Sequence, residues 1–385
     1  MSATVLAASA ALGIWTYLIA LRGGFWRCAE RDGEQPAAHA RERWPAVAVI
    51  VPARNEADAI ARSLASLLAQ DYPAPFPIVV VDDDSEDRTA AIARSLGARE
   101  RLTIVSGAPL PAGWTGKLWA VQQGLEHVAA SPQPPKYVLL TDADIVHAPS
   151  ALRGLVGRAE AGGLLLTSRM VRLHCASLPE RALIPAFVFF FQMLYPFAWV
   201  NRPRHRCAAA AGGCMLIERN SLAACGGVAA IRDALIDDCA LATRLKARGP
   251  IWLGLTDCAA SIRAYPHFGE IRRMVARSAY AQLSYSPLQL LLTLVALGLT
   301  FLSPPLIAIG GSGSARLAAL VAWGLMALGY WPTLRFYRLA PLWAPLLPAI
   351  AALYMLLTAD SAYQHLRRRG GMWKGRAQAA AAKGP

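Results

Sequence analysis

The sequence lacks the cysteine patterns that secreted and zinc-binding proteins carry. Its seven cysteines contain no C-x-x-C pair, and their odd number gives no complete set of disulfides. We therefore expect seven reduced thiols that behave as small apolar side chains. The chain also has no basic run interleaved with aromatic residues, so the sequence predicts no nucleic-acid partner.

Charged residues are scarce. They make up 17% of the 385 residues, against 55% hydrophobic residues. An ordinary soluble enzyme carries about a quarter charged residues, so this composition predicts a membrane component. Basic residues dominate the few charges and give a net charge of +14. That balance favours attraction to anionic lipid and to a diphosphate ligand.

Long uncharged runs lie near both ends of the chain. Residues 5–21 are apolar and are followed by arginines rather than by a cleavage site, which predicts an uncleaved anchor over residues 1–27 instead of a signal peptide. Residues 288–310 and 317–331 read as further spans. Residues 339–358 are interrupted by three prolines, and we expect a re-entrant or interfacial segment there.

Arginines flank these runs and predict a multi-pass protein of a bacterial-type inner (plasma) membrane, with its central part in the cytoplasm. The C-terminal membrane region is expected over residues 284–362, and a basic, Ala-rich cytoplasmic tail over residues 363–385. Residues 28–45 read as a linker. The Phe-rich segment at about residues 182–200 is either an interfacial element or a plain core helix.

Strand-like and helix-like patterns alternate in the central part. Ser85 is a candidate N-cap and Gly97 a candidate end for the helix between the second and third strands. The alternation predicts a doubly wound α/β sheet, in which ligands bind beyond the carboxyl ends of the strands. The four β-branched runs that predict buried strands are residues 47–51, 78–81, 103–105 and 137–140.

Three acidic clusters lie at the ends of strands or at the start of a helix in this basic chain. They are Asp82-Asp83-Asp84, Asp142-Ala143-Asp144 and Asp237-Asp238. Carboxylates gathered in this way repel one another unless a cation or a proton-transfer reaction uses them. The clusters therefore mark the predicted site.

Five motifs in order resemble the family 2 glycosyltransferases, inverting enzymes of the GT-A fold, over roughly residues 47 to 280. The apolar ends and Gly-Trp-Thr-Gly-Lys at 113–117 look most like membrane glycosyltransferases associated with hopanoid biosynthesis, near relatives of carotenoid-lipid glycosyltransferases. The resemblance implies a GT-A (Rossmann-like, doubly wound) domain over residues 46–283, flanked by transmembrane helices. The motifs include Pro52-Ala53-Arg54-Asn55-Glu56, Gly212-Gly213 and the three acidic clusters.

When a nucleotide-sugar donor reacts, its nucleoside diphosphate is the leaving group. A divalent cation held by carboxylates would offset the negative charge that builds up on this diphosphate. In an extended turn, Asp142 and Asp144 would point the same way and share this task. By resemblance, Asp144 is the firmer ligand for Mg²⁺ or Mn²⁺. Lys117, at the start of a helix, is placed to meet a phosphate of the donor.

The resemblance also implies a nucleoside pocket for a UDP-sugar. Its expected residues are Asp82, Asp83 and the loop that holds Pro52, Arg54 and Glu56. Asp84 stands where glycine is commoner in the family.

An inverting transfer needs one base that takes the proton of the acceptor hydroxyl. Asp238 is the predicted base, and Asp237 is a candidate N-cap of the helix that follows. The family's Q-x-x-R-W element is only partly kept here, and its arginine corresponds to Arg277, which the resemblance predicts to bind the diphosphate. The neighbouring Arg272 and Arg273 would bind phosphate or lipid headgroups.

The sequence thus predicts a metal-dependent glycosyltransferase that moves a sugar to a membrane lipid, a hopanoid or similar isoprenoid lipid. Two alternatives stay open. One is transfer to a polyprenyl phosphate, whose anionic acceptor needs no base. The other is a non-catalytic membrane scaffold that keeps the fold.

Overall fold

The computed structural model describes residues 2–32, 43–98, 100–367, 372–373 and 376–377. Most of the predicted linker, and the predicted tail beyond residue 367 apart from two short strands, lie outside the described residues. The chain forms two compact units. The helical unit comprises Met1–Ala29, Cys175–Ala198 and Ala264–Gly370, and the sheet unit comprises Glu30–His174, Trp199–Arg263 and Gly371–Pro385. Strands and helices are numbered below in chain order.

The sheet unit is built on eight strands in the order β3-β2-β1-β4-β7-β6-β8-β5. The first four are mutually parallel and confirm the four strands predicted from β-branched runs. β7 runs antiparallel to β4 and β6, so the sheet is mixed. The strands are β1 Val47–Ala53, β2 Ile78–Asp82, β3 Leu102–Ser106, β4 Tyr137–Thr141, β5 Ile145–His147, β6 Leu166–Arg172, β7 Cys214–Glu218 and β8 Ile251–Ser261.

Helices cover the sheet because their apolar stripes match its buried faces. Leu64 and Leu67 of α2 pack in one core with Val49 and Leu139 of the sheet. Six helices belong to this unit, and a short α7, Phe197–Val200, lies at its boundary. The six are α2 Ile60–Leu68, α3 Thr89–Ser95, α4 Gly116–Ala129, α5 Ala151–Gly162, α8 Arg219–Ala224 and α9 Asp237–Lys246. Two short strands, β9 Met372–Trp373 and β10 Arg376–Ala377, form a separate pair.

The ends of α3 test two local predictions. Gly97 follows the C-cap residue with φ of +70°, as expected where a helix stops. The prediction that Ser85 caps the helix is wrong, because α3 begins at Thr89. Asp87 instead accepts a hydrogen bond from the Thr89 amide, and the Ser85 hydroxyl accepts one from the Asn55 amide.

The helical unit contains four segments that are long and apolar enough to cross a membrane: Ala3–Ala20, Pro287–Gly310, Gly313–Phe336 and Pro341–Leu366. The predicted proline interruption of the last segment is wrong for residues 347–366, which form one helix. Its prolines lie in a 3-10 turn, Pro341–Leu346, and at the helix start, where no amide donor is needed. The helices are α1 Ala3–Ala20, α6 Leu178–Leu194, α10 Phe268–Ser278, α11 Pro287–Leu297, α12 Ser303–Gly310, α13 Gly313–Phe336 and α14 Leu347–Leu366.

The Phe-rich segment forms most of α6. A capping box between Ser177 and Glu180 starts the helix. Phe189 is buried and packs with Trp15 of α1 and Tyr330 of α13 in the core of the helical unit. This packing agrees with the core-helix alternative for the segment.

Candidate active site

A narrow cleft lies in the sheet unit, beyond the carboxyl ends of β1 and β4. Pro52, Lys117, Asp142, Gly212 and Asp237 are among the residues that line it. They come from the end of β1, the loop after β4, the start of α4, the turn before β7 and the start of α9. The fold therefore brings together residues that lie up to 185 positions apart in sequence.

Lys117 is a positively charged side chain that lines the cleft. Thr115 caps α4 by accepting a hydrogen bond from the Leu118 amide, and this cap places Lys117 in the first turn. Lys117 Nζ lies 2.8 Å from Asp142 Oδ1 and 3.7 Å from Asp237 Oδ2. Burial lowers the pKa of Lys117, but the neighbouring carboxylates, Asp142 first, raise this pKa by more. Lys117 is therefore positively charged at neutral pH.

Asp238 lies in the first turn of α9, and both of its oxygens accept backbone hydrogen bonds. Oδ2 accepts from the Gly212 amide at 2.9 Å and Oδ1 from the Cys239 amide at 2.7 Å. Burial, followed by the charge of Asp237, raises the pKa of Asp238 to about 6, although Lys117 and the two amides act in the opposite direction. Such a carboxylate is charged at neutral pH and can still take up a proton.

The predicted N-cap role of Asp237 is wrong. α9 begins at Asp237 itself, and Ile236 occupies the N-cap position. The Asp237 carboxylate lies instead on the Lys117 side of the cleft. Gly212 leaves the room for this arrangement, because a Cβ there would lie 3.3 Å from Lys117 Nζ and 3.4 Å from Asp238 Oδ2.

The predicted nucleoside residues lie together where β1 and β2 end. Arg54 is buried and donates from Nη1 to the carbonyl oxygens of Asp83 and Asp84, at 2.5 and 2.6 Å. Asp83 is fully buried. The buried Oδ1 of Asp82 has no hydrogen-bond partner among the described residues. An unpaired buried acceptor is energetically costly.

The backbone explains why glycine is common in the family at the position of Asp84. Asp84 has φ of +55°, in the left-handed region that glycine enters without steric cost. The backbone just after β3 also packs closely against the end of β2. A Cβ on Gly107 would lie 2.9 Å from the carbonyl oxygen of Asp82.

Asp144 belongs to a second cluster with Glu56 and Arg263. Arg263 Nη2 donates to both oxygens of Glu56, at 2.6 and 2.5 Å, and Arg263 Nε donates to Asp144 Oδ2 at 3.1 Å. Ser261 Oγ donates to the same Asp144 oxygen at 2.9 Å. Asp142 and Asp144 thus contact different cations. The expected extended turn is wrong, because residues 142–145 fold into a tight turn in which the Ile145 amide donates to the Asp142 carbonyl.

Comparison with known proteins agrees with this architecture. Residues 48–226 match the family model described as glycosyl transferase family 2. These residues therefore form a family 2 glycosyltransferase domain. A 4,4'-diaponeurosporenoate glycosyltransferase of Staphylococcus aureus (strain MRSA252) is 36% identical over 101 residues, which are 26% of this chain. The chain spans about a quarter of the length of this curated relative, 24%.

The glycosyltransferase fold extends beyond the matched residues. The solved structure of mannosyltransferase PcManGT from Pyrobaculum calidifontis, in complex with GDP-Man and Mn²⁺, superposes with a TM-score of 0.59. The superposition covers 94% of this chain and 99% of that one, at 21% sequence identity. The GT-A expectation for the fold is therefore confirmed.

Asp142 and Asp144 are the carboxylates of the sheet unit from which a divalent cation site was predicted. Among the described residues, no group of three or more His, Cys, Asp or Glu is placed to hold a metal ion. Magnesium in nucleotide sites, however, commonly uses one or two carboxylates together with phosphate oxygens. Both hydrogen bonds to the Asp144 carboxylate go to Oδ2, and Oδ1 has no partner within the described part of the chain. Asp142 and Asp144 therefore fit the cation in donor chemistry.

The arginines of the predicted phosphate-binding element lie on α10, in the helical unit. Arg277 is exposed on α10, and its role toward the donor stays a prediction. Arg272 has a protein partner instead of a phosphate, because its guanidinium binds both oxygens of Asp360, at 2.8 and 2.9 Å.

Sequence reasoning missed Arg263 and Ser261. Ser261 ends β8 and Arg263 follows it, more than 100 residues after Asp144 in the chain, and no spacing rule links them to Asp144. The only available signal was their place at the end of a long strand. All seven cysteines lie among the described residues, and none of them is in a disulfide.

Proposed function

We propose that this protein transfers a sugar from a nucleotide-sugar donor to a hydroxyl group of a membrane lipid, with inversion at the anomeric carbon. The observation that carries the proposal is the Asp238 carboxylate. It is held by two amides beside the cleft, has a pKa near 6, and lies close to Lys117 and Asp237. A base of this kind serves an acceptor that must lose a proton as it attacks.

The donor end of the proposed site lies on the Asp142 side. Lys117 and the first amides of α4 would pair with the diphosphate, since both favour negative charge at a helix N-terminus. Mg²⁺ or Mn²⁺, held by Asp142 and Asp144, would offset the charge of the leaving diphosphate. The Mn²⁺ in the structure of the mannosyltransferase PcManGT supports this assignment.

The nucleoside would bind where Arg54, Asp82 and Asp83 meet, with Pro52 at the end of β1 and Glu56 in the adjoining loop. In the family 2 glycosyltransferases that this chain resembles, a carboxylate of this pocket accepts from the imide N–H of uracil, which supports a UDP-sugar. Thermal-shift titrations with UDP and GDP in the presence of Mn²⁺ test this choice. We expect a larger rise in the unfolding temperature with UDP, because binding to the folded state stabilises it by mass action.

A lipid acceptor is supported by two observations. The S. aureus relative is named for diaponeurosporenoate, and four helices of this chain are long and apolar enough to cross a membrane. We propose a hopanoid or a similar isoprenoid lipid, reached from the cytoplasmic face of a multi-pass protein of a bacterial-type inner membrane. Lipid mass spectrometry of a deletion strain identifies the acceptor by the glycolipid that disappears.

Replacing Asp238 tests the proposed base. Asp238→Asn should lower transfer by roughly 10² to 10⁴-fold while nucleotide binding persists, since general base catalysis contributes about that much. Asp233→Asn, an exposed change on the preceding loop, is the matched control. Full transfer by Asp238→Asn would reject the base and favour an anionic polyprenyl-phosphate acceptor. A parent protein that binds no nucleotide would favour the scaffold.

A further inference from the structure

The cluster of Arg263, Glu56 and Asp144 joins three separate parts of the sheet unit. Glu56 follows β1, Asp144 lies between β4 and β5, and Arg263 follows β8. β5 and β8 pair with Ile145 opposite Ser261, and the Ile262 amide donates to the Asp144 carbonyl at 2.9 Å. The backbone around Asp144 is therefore fixed from the side of β8.

The electrostatics of the cluster require a cation between its two acids. Glu56 and Asp144 are each only 9% exposed, and Arg263 contacts both of them. Buried carboxylates of like charge are destabilising without a counter-charge, and the planar guanidinium fork also fixes their orientation. A lysine could not do the same, because its ammonium is a single point charge.

The hydrogen bonds are unevenly divided between the two oxygens of Asp144. Arg263 Nε and Ser261 Oγ both bind Oδ2. Two donors on one oxygen hold the carboxylate plane and turn the other oxygen, Oδ1, away from them. Outer partners of this kind commonly orient metal-ligating carboxylates, and their loss weakens metal affinity by about 10 to 100-fold.

We infer that Arg263 is a positioning residue, which holds Asp144 by its Oδ2 atom so that Oδ1 is presented to a divalent cation. Glu56 holds Arg263 in this position, because both Glu56 carboxylate oxygens accept hydrogen bonds from Arg263 Nη2. The inference rests on the cation proposed above as part of the function. It assigns to Glu56 a task in aligning the cation site, beyond lining the donor pocket.

Mn²⁺ binding to the full chain in detergent tests the inference without any turnover. The paramagnetic resonance signal of free Mn²⁺ gives the dissociation constant directly. Arg263→Met should raise this constant by about 10 to 100-fold. Arg263→Lys should recover part of the loss, and Ser261→Ala should cause a smaller loss in the same direction.

Arg153→Met is the matched control. Arg153 is exposed to a similar degree, 33% against 30% for Arg263, and it pairs with Asp71 at 2.9 Å, away from the predicted site residues. Its removal should leave Mn²⁺ affinity unchanged. If Arg263→Met does not fold, Arg263→Lys and Ser261→Ala still decide the matter, because both should weaken binding.

Three outcomes would overturn the inference. Unchanged Mn²⁺ affinity in the Arg263 and Ser261 variants would show that Asp144 needs no support. Tighter binding in Arg263→Met would show that the arginine competes with the cation. Absence of Mn²⁺ binding by the parent protein, with or without UDP, would remove both the proposed cation and its positioning residue, whereas the first two outcomes leave the proposed function standing.

Discussion

Asp238 has the properties of a base because of its immediate neighbours. Burial and the Asp237 charge raise its pKa to about 6, and the amides of Gly212 and Cys239 limit the rise. A base must be deprotonated to act. The transfer rate should therefore fall about tenfold per pH unit below 6 and level off above it. The measurement is the rate with saturating donor between pH 4.5 and 8.5, and a flat profile would contradict this assignment.

Lys117 also affects the pKa of the Asp238 carboxylate. Its positive charge lowers the pKa of Asp238, so Lys117→Met should move the pH midpoint of transfer above 6 as well as weaken donor binding. Lys136→Met, which removes a half-exposed lysine paired with Glu160, is the control and should leave both quantities unchanged. A weaker donor affinity without a shifted midpoint would separate Lys117 from Asp238.

The residue types at the site could be predicted from the sequence, but the side chains that they contact could not. Asp142, Asp237 and Lys117 were singled out from motifs, and the fold brings both carboxylates within 4.0 Å of Lys117 Nζ. Arg263 escaped notice because an arginine after a strand has no distinguishing local pattern. Its significance comes from two acids contributed by distant loops.

At the scale of elements, α4 positions Lys117 through its close packing on the sheet. Gly124 makes this approach possible, because a Cβ there would lie 2.5 Å from Ile50 Cγ2 of β1. Gly124→Ala should therefore destabilise the protein by about 1 to 3 kcal/mol, the usual cost of overpacking. The apparent unfolding temperature in detergent gives the measurement.

Gly324 provides the matched comparison for Gly124. It also lies inside a helix, α13, but a Cβ there would have nothing within 4 Å. Gly324→Ala should be neutral or stabilise by up to about 1 kcal/mol, because alanine has the higher helix propensity. Equal effects at the two positions would mean that packing against β1 does not limit α4.

At the scale of the whole molecule, the proposed orientation predicts which thiols face the cytoplasm. Cys207 and Cys258 are half-buried thiols of the sheet unit. A membrane-impermeant maleimide should label them in inverted membrane vesicles and not in intact spheroplasts. Mass spectrometry of the labelled peptides provides the readout, and labelling in spheroplasts would place the glycosyltransferase domain outside.

The sequence by itself determined strands β1 to β4, the apolar helices other than the last and the identity of the acidic clusters. These features depend on local hydrophobic runs and on short motifs, which need no tertiary contact to be read. Only the tertiary structure decided which carboxylate meets which cation, that Asp237 faces Lys117 instead of capping α9, and that Arg263 joins Glu56 to Asp144. These pairings depend on distances between loops from different strands, and such distances are set by the packing of the whole sheet.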